Sequence, residues 1–231
     1  MAKHLQEVGA SHSTYLQDTP DFLRQLQQIN IQGRLPENAM PVVADAIGLY
    51  TNIPKNEGVQ CVREALEERT NSTVPGHYIA RLLEIILENS IFEFNQELYR
   101  QEVGTSMGTK PAPDYANVFM AKKVDKKFWE IAEKYMENGS IPIQFMKRFL
   151  DDLFLIFVGS ISSLHKFFEE INNMHPTIKF TMSHTTPESE WNKPPCCDCP
   201  KLSAIPFLDT LCRVKDGKIS TDLYRKPSDR T

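Results

Sequence analysis

The segment that most constrains this fold lies between Ile141 and Val158. Two apolar runs, Phe145–Leu150 (FMKRFL) and Leu153–Val158 (LFLIFV), have the length and composition of buried strands, and Asp151-Asp152 interrupts them. Ionised carboxylates are expensive to bury. Folding the runs back as a hairpin resolves the conflict, because both aspartates then sit at its tip. The stretch is too short and too charged to cross a bilayer. Aspartate is also a favoured turn residue, so the pair taken alone reads more readily as a solvated turn.

The rest of the chain supplies helices and further strands. Residues 1–19 read as a polar, frayed leader, and Asp21–Ile29 as a short helix. Val42-Val43-Ala44 reads as a buried strand ending in Asp45. Helical spacing follows at Asn56–Glu67 and, more strongly, at 75–89, where Ile79, Leu82, Leu83, Ile86 and Leu87 share one face. Ser90–Phe94 and Leu98–Val103 form a hairpin. Gly104–Pro113 is a loop that opens a long helix from Asp114 to about Met136. Beyond the Asp-Asp hairpin come a helix at Leu164–Ile171 and a strand at Ile178–Ser183. A Pro-, Cys- and Glu-rich surface insertion occupies 185–203. Strands at Ile205–Val214 and Ile219–Tyr224 are joined through Asp216-Gly217. This order predicts an α+β fold with an antiparallel sheet backed by helices. The ferredoxin-like polymerase palm is one such arrangement; by itself it decides no function.

Asp45 adds chemistry. A strand reading Val-Val-Ala has no structural need for a terminal Asp, and two strand ends meeting in one sheet would bring Asp45 to Asp151 and Asp152. Clustered carboxylates repel unless cations lie between them. Carboxylate oxygens suit Mg²⁺, and two ions roughly 3.5–4 Å apart stabilise both oxygens of an in-line phosphoryl displacement. The loop Gly104-Thr105-Ser106-Met107-Gly108-Thr109-Lys110 lets backbone approach a ligand, but it is not a phosphate-binding P-loop, and taken alone it reads more readily as an ordinary helix-entry loop. Cys196, Cys197 and Cys199, with His184 upstream, offer zinc donors. The Cys-Cys-x-Cys spacing is not a standard one and no second ligand pair is nearby, so no zinc is assigned there.

Composition narrows the setting. The formal net charge is −4 and the pI about 5.9, which argues against a basic nucleic-acid surface on this chain as a whole. Five cysteines, three of them within 196–199, form no disulfide framework and indicate a reducing, intracellular compartment. The Asn71-Ser72-Thr73 sequon then reads as idle. The leader has no signal-peptide core, and no membrane partner is expected.

Together these residues resemble the Penelope-like retroelement reverse transcriptases. VVADAIGLYTNIP at 42–54 is similar to their first metal motif, GTSMGTKPAPDYANVFM at 104–120 to the second core motif, and RFLDDLFLIF at 148–157 to the Asp-Asp hairpin. HPTIKFT at 175–181 and IPFLDTLCRVKDGKISTDLYRKPSD at 205–229 resemble the segments that close the palm and lead to the thumb. The resemblance runs from about residue 14 to the end. It implies RNA-templated DNA synthesis, with an RNA template, a DNA primer and a dNTP as partners. Asp45, Asp151 and Asp152 would hold two Mg²⁺ ions, with Mn²⁺ as a substitute. Ala46, Tyr50, Met107 and Gly108 would line the nucleotide pocket, Tyr50 acting as the gate against a 2′-hydroxyl. Many other reverse transcriptases have Gln where Met107 stands. Phe207, Leu208, Asp209 and Thr210 would lie beside the primer. A nuclear location follows from the family only. The expected organisation is a disordered leader at 1–13 and a palm core at 14–231, with fingers and thumb largely missing. The competing readings are an inactive retroelement fragment acting as a binding module, an RNA-dependent RNA polymerase, and a small zinc module.

Overall fold

The structure is a computed structural model describing residues 2–69, 74–136, 139–187, 190–192 and 199–226. They form two compact units. One holds the residues up to Tyr15, Ile47–Phe128 and His175–Lys179. The other holds Leu16–Ala46, Trp129–Met174 and the residues from Phe180 onward.

The second unit is built on a four-stranded sheet of β1 (Ala39–Ala46), β4 (Ile143–Phe149), β5 (Asp152–Val158) and β6 (Phe180–His184), in the order β4-β5-β1-β6. Every pairing is antiparallel. A helix, α8 (Ile161–Asn173), links β5 to β6. This order, with β1 between β5 and β6, is the ferredoxin-like arrangement expected from the sequence. β5 reads as an unbroken apolar run because both sheet faces are covered. Leu153, Leu155 and Phe157 lie on one face, where the Phe157 ring meets Phe167 of α8 at 5.7 Å. Phe154 and Ile156 lie on the other. There Phe154 packs on Phe22 of α2 (Thr19–Gln32) at 4.9 Å and on Phe207 at 5.2 Å.

Phe207 belongs to a second, three-stranded sheet, β7 (Ile205–Phe207), β8 (Thr210–Lys215) and β9 (Lys218–Leu223). The sequence predicted one strand over 205–214. Instead the chain reverses at Leu208-Asp209, with Leu208 at φ +50° and Phe207 paired to Thr210. Phe207 and Cys212 both reach the core beside Phe22, so burying both favours a fold-back that local propensity does not signal. The second turn is as expected: Asp216 and Gly217 both take positive φ between paired Lys215 and Lys218.

The first unit is mainly helical: α1 (Ala2–Gly9), α3 (Leu49–Asn52), α4 (Lys55–Glu67), α5 (Gly76–Glu88) and α6 (Ala112–Phe119). A hairpin of β2 (Ile91–Phe94) and β3 (Glu97–Arg100) is exposed along its whole length. Its two-residue turn, Asn95-Gln96, has positive φ at both positions. The long helix expected from Asp114 starts earlier and is not uniform. A π-helical stretch at Met120–Asp125 separates α6 from α7 (Lys126–Lys134). The expected disordered leader is also corrected. Leu5 and Val8 of α1 are buried, and Gly9 lies so close to α6 that a Cβ there would sit 3.4 Å from that of Asn117. Two buried apolar residues and a glycine in eight are too sparse a pattern to reveal a docked helix.

If α1 is part of the core, Leu5→Ala should destabilise the chain by about 2–5 kcal/mol, the range for emptying a buried leucine site. A frayed leader would leave the urea midpoint unchanged.

Candidate active site

Antiparallel pairing places Asp45, near the end of β1, directly opposite Asp152, the first residue of β5. Directly opposed residues share a sheet face with Cβ atoms about 4.5–5.5 Å apart. The two carboxylates are therefore neighbours by register. The same row runs from Phe149 of β4 to Thr181 of β6. Burial on this face falls along β1, from buried Pro41 through half-buried Val43 to exposed Asp45. The acidic pair thus stands where the apolar face opens.

Asp151 completes the cluster from the turn between β4 and β5. Leu150 takes φ +55°, a conformation that disfavours a residue with a Cβ. Two bonds hold the turn. The Arg148 guanidinium, with side chain and backbone only 1% exposed, donates through Nη1 to the Leu150 carbonyl at 2.8 Å. The Ala46 amide donates to the Asp151 carbonyl at 3.1 Å. Arg148 was missed in the sequence, where it looks like one more charge in a strand. Its burial was the absent clue. Ala46 contributes a backbone bond, and its side chain is buried.

The electrostatics are unfavourable for three bare carboxylates. Although the residue as a whole is exposed, partial desolvation of its carboxyl first, and the charge of Asp151 second, push Asp45 above the ordinary carboxylate range. Asp152 rises from 3.8 to about 6, through burial and then the charges of Asp151 and Asp45, with Lys226 opposing. The fold holds like charges together at a free-energy cost that a divalent cation would remove. An all-oxygen donor set of this kind suits Mg²⁺.

Asp152 also lines a groove of about 840 Å³ with Val43, Phe149, Phe207, Leu208 and Asp209. The β7–β8 turn therefore faces the same space as Asp152. Asp209 accepts a hydrogen bond from Thr19 Oγ1 at 3.0 Å, and buried Thr210 donates to the Phe207 carbonyl at 2.7 Å. The remaining predicted residues lie in the helical unit. Tyr50 sits on α3, where its carbonyl accepts from the Thr105 amide at 2.7 Å. Gly104, at φ +74°, makes this approach feasible, because a Cβ there would come within 2.3 Å of the Tyr50 carbonyl oxygen. Met107 and Gly108 follow on the same loop and are exposed. Of the cysteine set, Cys196 and Cys197 lie outside the described residues.

No family model matches the chain, and no curated protein matches it. Solved structures do. Apo telomerase from Candida tropicalis superposes with a TM-score of 0.68 at 11% identity, over 95% of this chain and 39% of that one. Telomerase from Candida albicans, in complex with the TWJ fragment of telomeric RNA, gives 0.67 at 10% identity, over 98% and 39%. The BmCPV RNA-dependent RNA polymerase at its quiescent state gives 0.55 at 12% identity, over 91% and 19%. The chain spans less than half the length of each. At such identities the likeness is one of fold, and the fold is the polymerase palm: an antiparallel sheet backed by helices.

The raised carboxyl of Asp152 fixes a sign. Its folded pKa of about 6 exceeds the unfolded value of roughly 3.9. Its contribution to metal-free stability is therefore fully present below pH ~4 and is lost as pH rises through ~6. Asp152→Asn should leave the melting temperature unchanged near pH 4 and raise it above pH 6. Added Mg²⁺ should stabilise the parent at pH 7.5 and not at pH 4.5. A pH-independent difference between parent and variant would contradict this electrostatic account.

Proposed function

We propose that this chain is the palm core of an RNA-directed DNA polymerase of the Penelope-like retroelement type, acting on an RNA template, a DNA primer and a dNTP. One observation carries the reading. Asp45 of the first motif and Asp152 of the third, far apart in sequence, meet in one register row at the open end of a palm sheet, with Asp151 beside them in the turn that leads into β5. Two Mg²⁺ ions, with Mn²⁺ as a substitute, would be held by Asp45, Asp151 and Asp152 and would stabilise the attacking and leaving oxygens of the displacement.

The chain's own groups would do the positioning. Arg148 and the Ala46 amide fix the turn that carries Asp151. Phe207–Thr210 would present the primer end along the groove that Asp152 lines. Tyr50 would exclude a 2′-hydroxyl, and Met107 and Gly108 would contact the base-paired nucleotide. The reading places the protein in the nucleus by its resemblance in sequence.

Primer extension tests the proposal. Extension with Mg²⁺ on an RNA template is expected, and Asp151→Asn should reduce it at least about 100-fold, since a catalytic metal supplies several kcal/mol. Absence of extension on RNA and DNA templates with either metal would favour the second reading, a non-catalytic binding module.

Sugar selection separates DNA from RNA synthesis. The fold is shared with a viral RNA polymerase, so fold does not decide it. Tyr50→Ala should raise ribonucleotide use relative to deoxynucleotide by about tenfold or more, within the range a pocket's shape supplies. Efficient ribonucleotide incorporation by the parent would overturn the assignment as a DNA polymerase.

A further inference from the structure

On the sheet face opposite the aspartates, three metal-binding side chains converge. His184 ends β6 and pairs with Val42, which places it on the α8 side of the sheet. His165 projects from the first half of α8, and Cys199 lies in the connection between β6 and β7. Their ligand atoms all fall within 4.8 Å of one another.

The decisive detail is His184. It is 3% exposed, and its Nδ1–H donates to the Thr185 carbonyl at 3.0 Å. That bond fixes the tautomer, so Nε2 carries a lone pair. Nε2 is buried and has no hydrogen-bond partner. A buried acceptor without a donor is unfavourable. A histidine whose other nitrogen is bonded to a backbone carbonyl is what a metal site requires.

The remaining two ligands fit the same pattern. His165 Nε2 stands 3.6 Å from Cys199 Sγ. Zinc–nitrogen bonds of about 2.0–2.1 Å and zinc–sulfur bonds of about 2.3 Å, at a tetrahedral angle, place such atoms about 3.6 Å apart. The two imidazole rings lie 5.5 Å apart, nearly perpendicular.

We infer that His165, His184 and Cys199 bind a zinc ion that ties Cys199, which precedes β7, to β6 and α8. Two imidazoles and a thiolate form a donor set for a borderline-soft cation, unlike the all-oxygen cluster around Asp45. The fourth tetrahedral position is left for solvent or another donor. The site stands independently of the polymerase reading and requires no catalysis.

Metal analysis of the full chain, expressed with zinc and passed into metal-free buffer, tests it. About one equivalent of zinc should remain, and cobalt substitution should give tetrahedral d–d bands with a thiolate-to-cobalt charge-transfer band. His165→Asn should bind zinc at least about 100-fold more weakly, a loss beyond that of an outer-sphere partner. Its half-exposed position lets circular dichroism verify that it still folds. Cys199→Ser should lose the charge-transfer band. Chelation should lower the melting temperature of the parent but not of His165→Asn. Zinc content at background, or equal zinc in parent and His165→Asn, would overturn the inference.

Discussion

The pairing register of β1 against β5 is the constraint on which the rest depends. Side chains alternate faces along a strand, so a slip of one residue exchanges the two faces. In the observed register Val42 and Ala44 join Leu153 and Leu155 on the α8 side, while Val43 and Asp45 join Phe154 and Asp152 on the other. A slipped β1 would carry Asp45 to the covered face and aim Ala44 at the groove. The aromatic cluster of Phe154, Phe22 and Phe207 weighs against such a slip, because it occupies one face of β5 at ring separations near 5 Å.

Stability and local strain are distributed unevenly along this sheet. At its closed end both faces of β5 are buried and apolar. At its open end are three carboxylates, a leucine at positive φ, and a buried arginine recruited to bond a turn carbonyl. Each of these features is unfavourable or neutral for folding alone. Their concentration at one sheet end, beside a groove shared with the β7–β8 turn, agrees with the tendency of strained positions to cluster at functional sites. The histidine–cysteine cluster lies on the other face, so the sheet keeps two chemically distinct sets of donors apart.

Much of the fold was legible because its signals are local. The Asp-Asp hairpin, the α4 and α5 stripes, the Asp216-Gly217 turn and the strand leading to Asp45 all follow from periodicity and turn chemistry. The misses share a cause. Leu5 and Val8 dock a helix through contacts with residues a hundred positions away. The reversal at Leu208-Asp209 depends on Phe207 and Cys212 both entering the core. The π-helical stretch at Met120–Asp125 carries no distinctive residues. His165 carries no ligand signal of its own, because no local spacing joins it to His184 or Cys199 and only the packing of α8 on β6 brings them together.

By itself, the sequence determined which residues could carry chemistry and which segments could form strands and helices, since residue type and spacing are properties of a few neighbouring positions. Tertiary structure alone decided which of them meet. Asp45 faces Asp152, Arg148 is spent on a turn, and His165 reaches Cys199 because sheet register and helix packing are long-range. They are fixed by burying apolar surface over the whole unit, which no short window of sequence contains.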